Sequence, residues 1–170
     1  MPVVYVSIGS NIDRERNIRA AVQALEEHFG RITLSSVYET QAQGFAGDPF
    51  YNLVAGFETT LTADTINTQL HSIENEHGRL RGEQKFSSRT LDLDLLLYGD
   101  AIMEDQNIPR EEITRYAFVL LPLVEIAPEL LHPICQLTMR ELWDNFKAGH
   151  DVSKNAIHAI EFQWDQSATI

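Results

Sequence analysis

Leucine and aspartate alternate from Leu91 to Leu95, and the apolar run continues to Leu97 before Tyr98 and a Gly99-Asp100 turn signal. Period-2 alternation predicts a half-buried β-strand over residues 91–98. Side chains two positions apart share a face, so Asp92 and Asp94 project together, roughly 7 Å apart at about 3.3 Å rise per residue. An ordinary strand with a solvated polar face has the same pattern. Upstream, β-branched residues predict a strand over 2–8, with Gly9-Ser10-Asn11 as the turn after it. Asp13 stands as N-cap of a helix running to about Phe29, with Ile18, Ala21, Val22 and Leu25 as its apolar stripe and Gly30 as its stop. Residues 31–39 read as a strand, 40–49 as a Gly- and Pro-containing loop and 50–60 as a strand. Thr62 opens a second helix through Ile66, Leu70 and Ile73 to His77.

The order is βαββαβ, which predicts an α+β chain with a ferredoxin-like sandwich, helices on an antiparallel sheet. The two helices end alike, in Glu26-Glu27-His28-Phe29-Gly30-Arg31 and Glu74-Asn75-Glu76-His77-Gly78-Arg79, a faint sign of two similar halves. Beyond Asp100 come a short strand or loop, a Pro-bounded segment at Ile108-Pro109, an apolar helical run over 117–127 and a further helix over 139–146. These are C-terminal helical additions. The last twenty residues carry no clear pattern and receive no element. A chain of 170 residues can bury roughly 70% of its unfolded surface, enough for one domain spanning 1–170.

Charge sharpens this picture. The net charge is −12, which argues against a nucleic-acid partner. Yet residues 79–89 hold Arg79, Arg81, Lys85 and Arg89, four of thirteen Lys and Arg residues, immediately ahead of the paired aspartates. Two carboxylates on one face repel unless a cation lies between them, and hard oxygen ligands suit Mg²⁺. Cations beside such a pair are what a polyphosphate needs, with metal bridging some oxygens and arginine forks on the rest. A solvated charged loop has the same composition. A single cysteine, Cys135, excludes an internal disulfide, suits a reducing compartment and reads as a core filler between Ile134 and Leu137. Residues 1–6 lack the basic region of a leader, and no stretch approaches the roughly 18 apolar residues of a membrane span. A cytoplasmic protein without a membrane partner is expected. There is no P-loop, G-x-G-x-x-G or H-E-x-x-H motif. The six histidines form no metal-ligand spacing; His77 reads as a helix-end residue and His71 as nearer the presumed site.

The stretch Gly78-Arg79-Leu80-Arg81 followed by Ser87-Ser88-Arg89-Thr90-Leu91-Asp92-Leu93-Asp94-Leu95-Leu96-Leu97-Tyr98-Gly99 resembles the signature of the 6-hydroxymethyl-7,8-dihydropterin pyrophosphokinase family. Further blocks match in family order: Ser7-Ile8-Gly9-Ser10-Asn11, Ser35-Ser36-Val37-Tyr38-Glu39-Thr40, Asp48-Pro49-Phe50-Tyr51-Asn52, and the run from Ala117 to Pro128. The resemblance implies transfer of the β,γ-pyrophosphoryl group of ATP to the hydroxymethyl oxygen of a dihydropterin, releasing AMP, in folate biosynthesis. It implies two Mg²⁺ ions on Asp92 and Asp94. Arg79 and Arg89 match family arginines on the phosphates; Arg81 and Lys85 lie beside them, and Glu74 matches an acidic residue near the site. For the pterin, it implies a ring sandwich by Phe50 and Phe118, an edge contact from Asn52, polar groups at Thr40 and Gln41, and a covering aromatic at Phe86. Plain core packing is the other reading of either phenylalanine. A monomer acting on ATP and dihydropterin is expected.

The chain departs from the family pattern at two phosphate contacts. Arg110 replaces the usual histidine after Ile108-Pro109, and Tyr116 holds the position of an arginine unless the register slips so that Arg115 serves. One reading is an active pyrophosphokinase with rearranged phosphate contacts. Another is a catalytically weakened paralogue that binds pterin or nucleotide as a module. A different metal-dependent phosphotransferase on this fold is the third, since fold does not fix function.

Overall fold

The computed structural model describes residues 1–40, 49–77, 91–153 and 156–164. Its elements run β1 (Val3–Ser10), α1 (Arg14–Phe29), β2 (Thr33–Leu34), β3 (Val37–Thr40), β4 (Phe50–Glu58), α2 (Ala63–Glu76), β5 (Asp92–Tyr98), α3 (Glu112–Arg115), α4 (Ala117–Ile126), α5 (Met139–Gly149) and β6 (Ile157–Ile160). The described strands form one sheet, ordered β5-β1-β4-β3-β6 with β2 also on β4, and every described pairing is antiparallel. The α+β arrangement expected from βαββαβ is therefore present.

Strand periodicity gives the sheet two faces. On one, Val4, Val6 and Ile8 of β1, Leu53, Ala55 and Phe57 of β4, and Leu93 and Leu95 of β5 meet the predicted stripes of α1 and α2. On the other, Val54 and Leu96 pack with Ile113, Val119, Leu120, Leu123, Met139, Leu142 and Phe146 from the C-terminal helices. Each fully buried aliphatic side chain contributes about 1.5–3 kcal/mol relative to exposure. The apolar run at 117–127 is thus a helix whose inner side packs on the second face. Thr62 caps α2 as predicted, its side chain accepting the Thr65 N–H at 3.2 Å, and Gly30 closes α1 with φ 83°.

Five expectations are corrected. Gly9 and Ser10 are not a turn; they are the last residues of β1, paired on β4. Asp13 precedes α1 in a left-handed conformation and makes no capping bond with its side chain, which instead lies 3.5 Å from Arg16. The strand read over 31–39 is broken at Ser35-Ser36, because Ser36 turns its N–H and hydroxyl onto the Glu125 carboxylate of α4. Tyr38 donates to the same carboxylate at 2.7 Å, and burial together with that anion holds its phenol pKa above the usual value. The C-terminal stretch left without an element supplies β6, which pairs with β3 from Val37↔Ile160 to Thr40↔Ile157. Cys135 is exposed, not a core filler. Among the described residues no helix is long and apolar enough to cross a membrane.

Candidate active site

Where the C-terminal helices stop covering the second face, the sheet carries a row of facing residues. Tyr38 of β3 pairs with Asn52 of β4, Asn52 with Gly9 of β1, and Gly9 with Asp92 of β5. In the next row Val54 faces Ser7, and Ser7 faces Asp94. Directly opposed residues share a face, so Asn52, Asp92 and Asp94 look out on the same side. Two interstrand spacings separate the backbones of Asn52 and Asp92, roughly 10 Å. Gly9 lies between them for a steric reason, since a Cβ there would come within 2.7 Å of Asn52 Oδ1.

On the Asn52 side of this row, the next outward-facing pair of the β3–β4 ladder is Thr40↔Phe50. Asn52 is buried, and its Nδ2 donates to Thr40 Oγ1 at 3.3 Å. Phe50 and Phe118 are both half-buried. Phe118, at the start of α4, stacks on Tyr116 with ring centroids 5.0 Å apart and planes 22° apart. The residue in place of a family arginine thus packs against a predicted pterin-sandwich ring.

The Asp92 side is charged. Arg110 Nη2 lies 3.3 Å from Asp94 Oδ1, and its Nε lies 3.1 Å from Glu112 Oε2. The Arg110 N–H donates to the Leu96 carbonyl at 3.0 Å, tying the segment to β5. Glu74 acts from behind: on α2, buried, it accepts the Leu93 N–H at 2.8 Å. That amide lies between the two aspartates on the strand that edges the sheet among the described residues, so Glu74 fixes the backbone that carries both carboxylates.

The predicted residues divide accordingly. Thr40, Phe50, Asn52, Asp92, Asp94 and Arg110 are brought to this face or its margin. Arg115 is solvent-exposed and pairs with Glu111 at 3.3 Å. His71 is exposed, while His77 ends α2 with Nδ1 2.7 Å from the Ile73 carbonyl. Gln41, Arg79, Arg81, Lys85, Phe86 and Arg89 lie outside the described residues. Gly9 escaped notice as a spacing residue, although a glycine inside a β-branched run is itself a signal of close approach.

Among the described residues no three His, Cys, Asp or Glu side chains gather as a metal cage. Asp92 and Asp94 still fit Mg²⁺, an oxygen-preferring ion usually held by one or two carboxylates plus substrate phosphates and water.

Comparison with known proteins agrees in sequence and in fold. Residues 5–128 match the family model described as 7,8-dihydro-6-hydroxymethylpterin-pyrophosphokinase. The chain is 36% identical over 160 residues to the 2-amino-4-hydroxy-6-hydroxymethyldihydropteridine pyrophosphokinase of Haemophilus influenzae, covering 91% of this chain and 98% of that one. It is 33% identical over 145 residues to the protein of the same name from Aquifex aeolicus, covering 83% and 90%. The Pseudomonas aeruginosa protein of that name is 37% identical over 139 residues, covering 76% and 83%. Among solved structures, wild-type Plasmodium falciparum HPPK-DHPS superposes with a TM-score of 0.72 at 14% identity, over 94% of this chain and 48% of that one. The chain thus spans about half of that longer protein, and the likeness there is one of fold.

Proposed function

The chain belongs to the 7,8-dihydro-6-hydroxymethylpterin-pyrophosphokinase family, and from that premise we propose how its residues share the transfer of pyrophosphate from ATP to 6-hydroxymethyl-7,8-dihydropterin. The enzyme is a diphosphotransferase of folate synthesis, and ATP is its co-substrate. The observation that carries the assignment is the sheet row that sets Asn52 and the Asp92/Asp94 pair on one face with Gly9 between them.

Asn52 reads the pterin edge with Thr40 and Gln41, Phe50 and Phe118 sandwich its flat ring, and Phe86 covers it. Asp92 and Asp94 would hold the two Mg²⁺ ions, which would supply charge neutralisation for the triphosphate during attack by the hydroxymethyl oxygen. Arg79 and Arg89 grip phosphate oxygens, with Arg81 and Lys85 beside them. Arg110 supplies the contact that a histidine makes elsewhere in the family, and its fork already rests against Asp94. This geometry favours Arg110 over Arg115 for the missing phosphate contact. Glu74 keeps the aspartate strand in place. The same reading takes residues 1–170 as one monomeric domain working on small molecules in the cytoplasm, its charge of −12 disfavouring nucleic acid.

The test is incubation with ATP, Mg²⁺ and 6-hydroxymethyl-7,8-dihydropterin, with AMP and pterin diphosphate measured together. Stoichiometric appearance of both is expected. Tight pterin binding with no AMP would overturn the catalytic assignment in favour of a binding module.

A further inference from the structure

Arg14, the first residue of α1, has no part in the scheme above, yet its guanidinium lies directly behind the pterin half of the site. Its Nη1 is 3.2 Å from Glu39 Oε2 and donates to the Pro49 carbonyl at 2.9 Å. Its Cζ is 3.9 Å from the centre of the Tyr51 ring. Glu39 and Tyr51 oppose each other in the β3–β4 ladder, between the Tyr38↔Asn52 and Thr40↔Phe50 pairs. Because side chains alternate, Glu39 and Tyr51 face α1 while Thr40, Phe50 and Asn52 face the candidate site.

The ladder gives a reason why such a contact matters. Among the described residues three pairs join β3 to β4, and short ladder ends open at little cost unless side chains hold them. Arg14 joins both strands at that end, by charge on β3, by the Pro49 carbonyl just ahead of β4 and by the ring contact on β4. About a quarter of the Arg14 and Glu39 side chains is exposed, so water screens the pair only in part. A second brace comes from β6, which pairs along β3 and sets His158 Nε2 3.7 Å from Glu39 Oε1. That strand lies beyond residues 5–128, the stretch matched by the family model.

We propose that Arg14 is a positioning residue for pterin recognition: from the helix side of the sheet it staples the ends of β3 and β4, and so sets the spacing of Thr40, Phe50 and Asn52 on the other side. This rests on the assignment of those three residues to the pterin. It predicts an effect on one substrate only, because Asp92, Asp94 and Arg110 sit on β5 and the segment after it, away from this contact.

The experiment is equilibrium titration of 6-hydroxymethyl-7,8-dihydropterin without ATP, beside steady-state constants for both substrates, on wild type, Arg14→Ala, Arg14→Lys and Glu39→Gln. Arg14→Ala should weaken pterin binding about tenfold and raise the pterin KM alike, with the ATP KM within about twofold, as expected when recognition groups are displaced by a fraction of an ångström. Arg14→Lys keeps the charge facing Glu39 and should recover part of that loss. Should Arg14→Ala fail to fold by circular dichroism, Arg14→Lys and Glu39→Gln carry the same comparison. Unchanged pterin affinity in folded variants overturns the inference, as does equal weakening toward both substrates without recovery in Arg14→Lys. A wild-type protein that does not bind the pterin would instead sink the underlying site assignment.

Discussion

Gly9→Ala tests the site at its narrowest point. The added Cβ would lie 2.7 Å from Asn52 Oδ1, about 0.7 Å inside the 3.4 Å edge of ordinary contact. One of two groups must yield. If the β1–β4 ladder shifts, overpacking of this kind costs about 1–3 kcal/mol. For a chain of this size that lowers Tm by about 2–4 °C per kcal/mol. If the Asn52 amide swings away, it gives up its 3.3 Å bond to Thr40, a loss of only about 0.5–1.5 kcal/mol. The swing is the smaller cost, so stability should fall slightly and pterin recognition heavily. Two hydrogen bonds from the amide to the pterin edge are together worth about 1–3 kcal/mol, or roughly one to two decades in pterin affinity. The ATP KM should stay within about twofold. A double-mutant cycle isolates the clash: Asn52→Ala removes the obstructing atom, so Gly9→Ala should cost almost no stability in that background. The assay is thermal unfolding together with pterin titration on the wild type, both single variants and the double variant. Wild-type Tm and pterin affinity in Gly9→Ala, or strictly additive losses in the double variant, would refute the reasoning.

Asp92→Ala or Asp94→Ala should abolish turnover while leaving the fold intact, since each removes a like-charge repulsion and the partly exposed Asp94–Arg110 pair that Asp94→Ala also breaks is worth little; near-wild-type rates across a Mg²⁺ titration would exclude the metal role. Arg110→Ala should weaken ATP use by about one to two decades, the worth of a charge-assisted fork, with pterin affinity unchanged. Arg115→Ala, made in parallel, should leave the ATP constants as they are, because that side chain is exposed and pairs only weakly with Glu111. Glu74→Ala leaves the Leu93 N–H without its carboxylate partner and should cost about 1–3 kcal/mol in urea unfolding, whereas Glu74→Gln retains an acceptor and should cost less.

Much of the fold was legible because its signals are local. The Leu/Asp alternation, the Thr62 cap and the 3.6-residue stripes of α1 and α2 each depend on neighbours in sequence, and each appears as read. What stayed hidden depends on distant partners. The break at Ser35-Ser36 exists because Glu125, 89 residues away, draws the Ser36 amide out of the ladder. The four residues of β6 are too few for a periodic signal, and they become a strand by pairing with Val37–Thr40. The site divides in the same way. Asp92, Asp94 and Asn52 were legible through their motif blocks, and the sheet sets them on one face. The backing of Glu74 on Leu93 and the reach of Arg14 to both strand ends come only from packing, since a charged residue on a helix looks the same in sequence whether it faces water or a strand edge.

Arg110 shows what such packing adds to a bare departure from a family pattern. In sequence it is an arginine where a histidine is usual, which by itself allows either a weakened site or a rearranged one. In the structure its fork spans Asp94 and Glu112 at 3.3 and 3.1 Å, and its N–H is bonded to the aspartate strand through Leu96. The side chain lies at the edge of the predicted metal pair, ion-paired on both sides. A permanent positive charge there offsets the repulsion between two carboxylates when no metal is bound, a service that a neutral histidine cannot give. On the proposed reading, Arg110 would exchange its contact with Asp94 for one with a phosphate oxygen and would keep Glu112 as its second partner. The departure then fits a rearranged site better than a weakened one, because the replacement charge is anchored within reach of the chemistry it would serve.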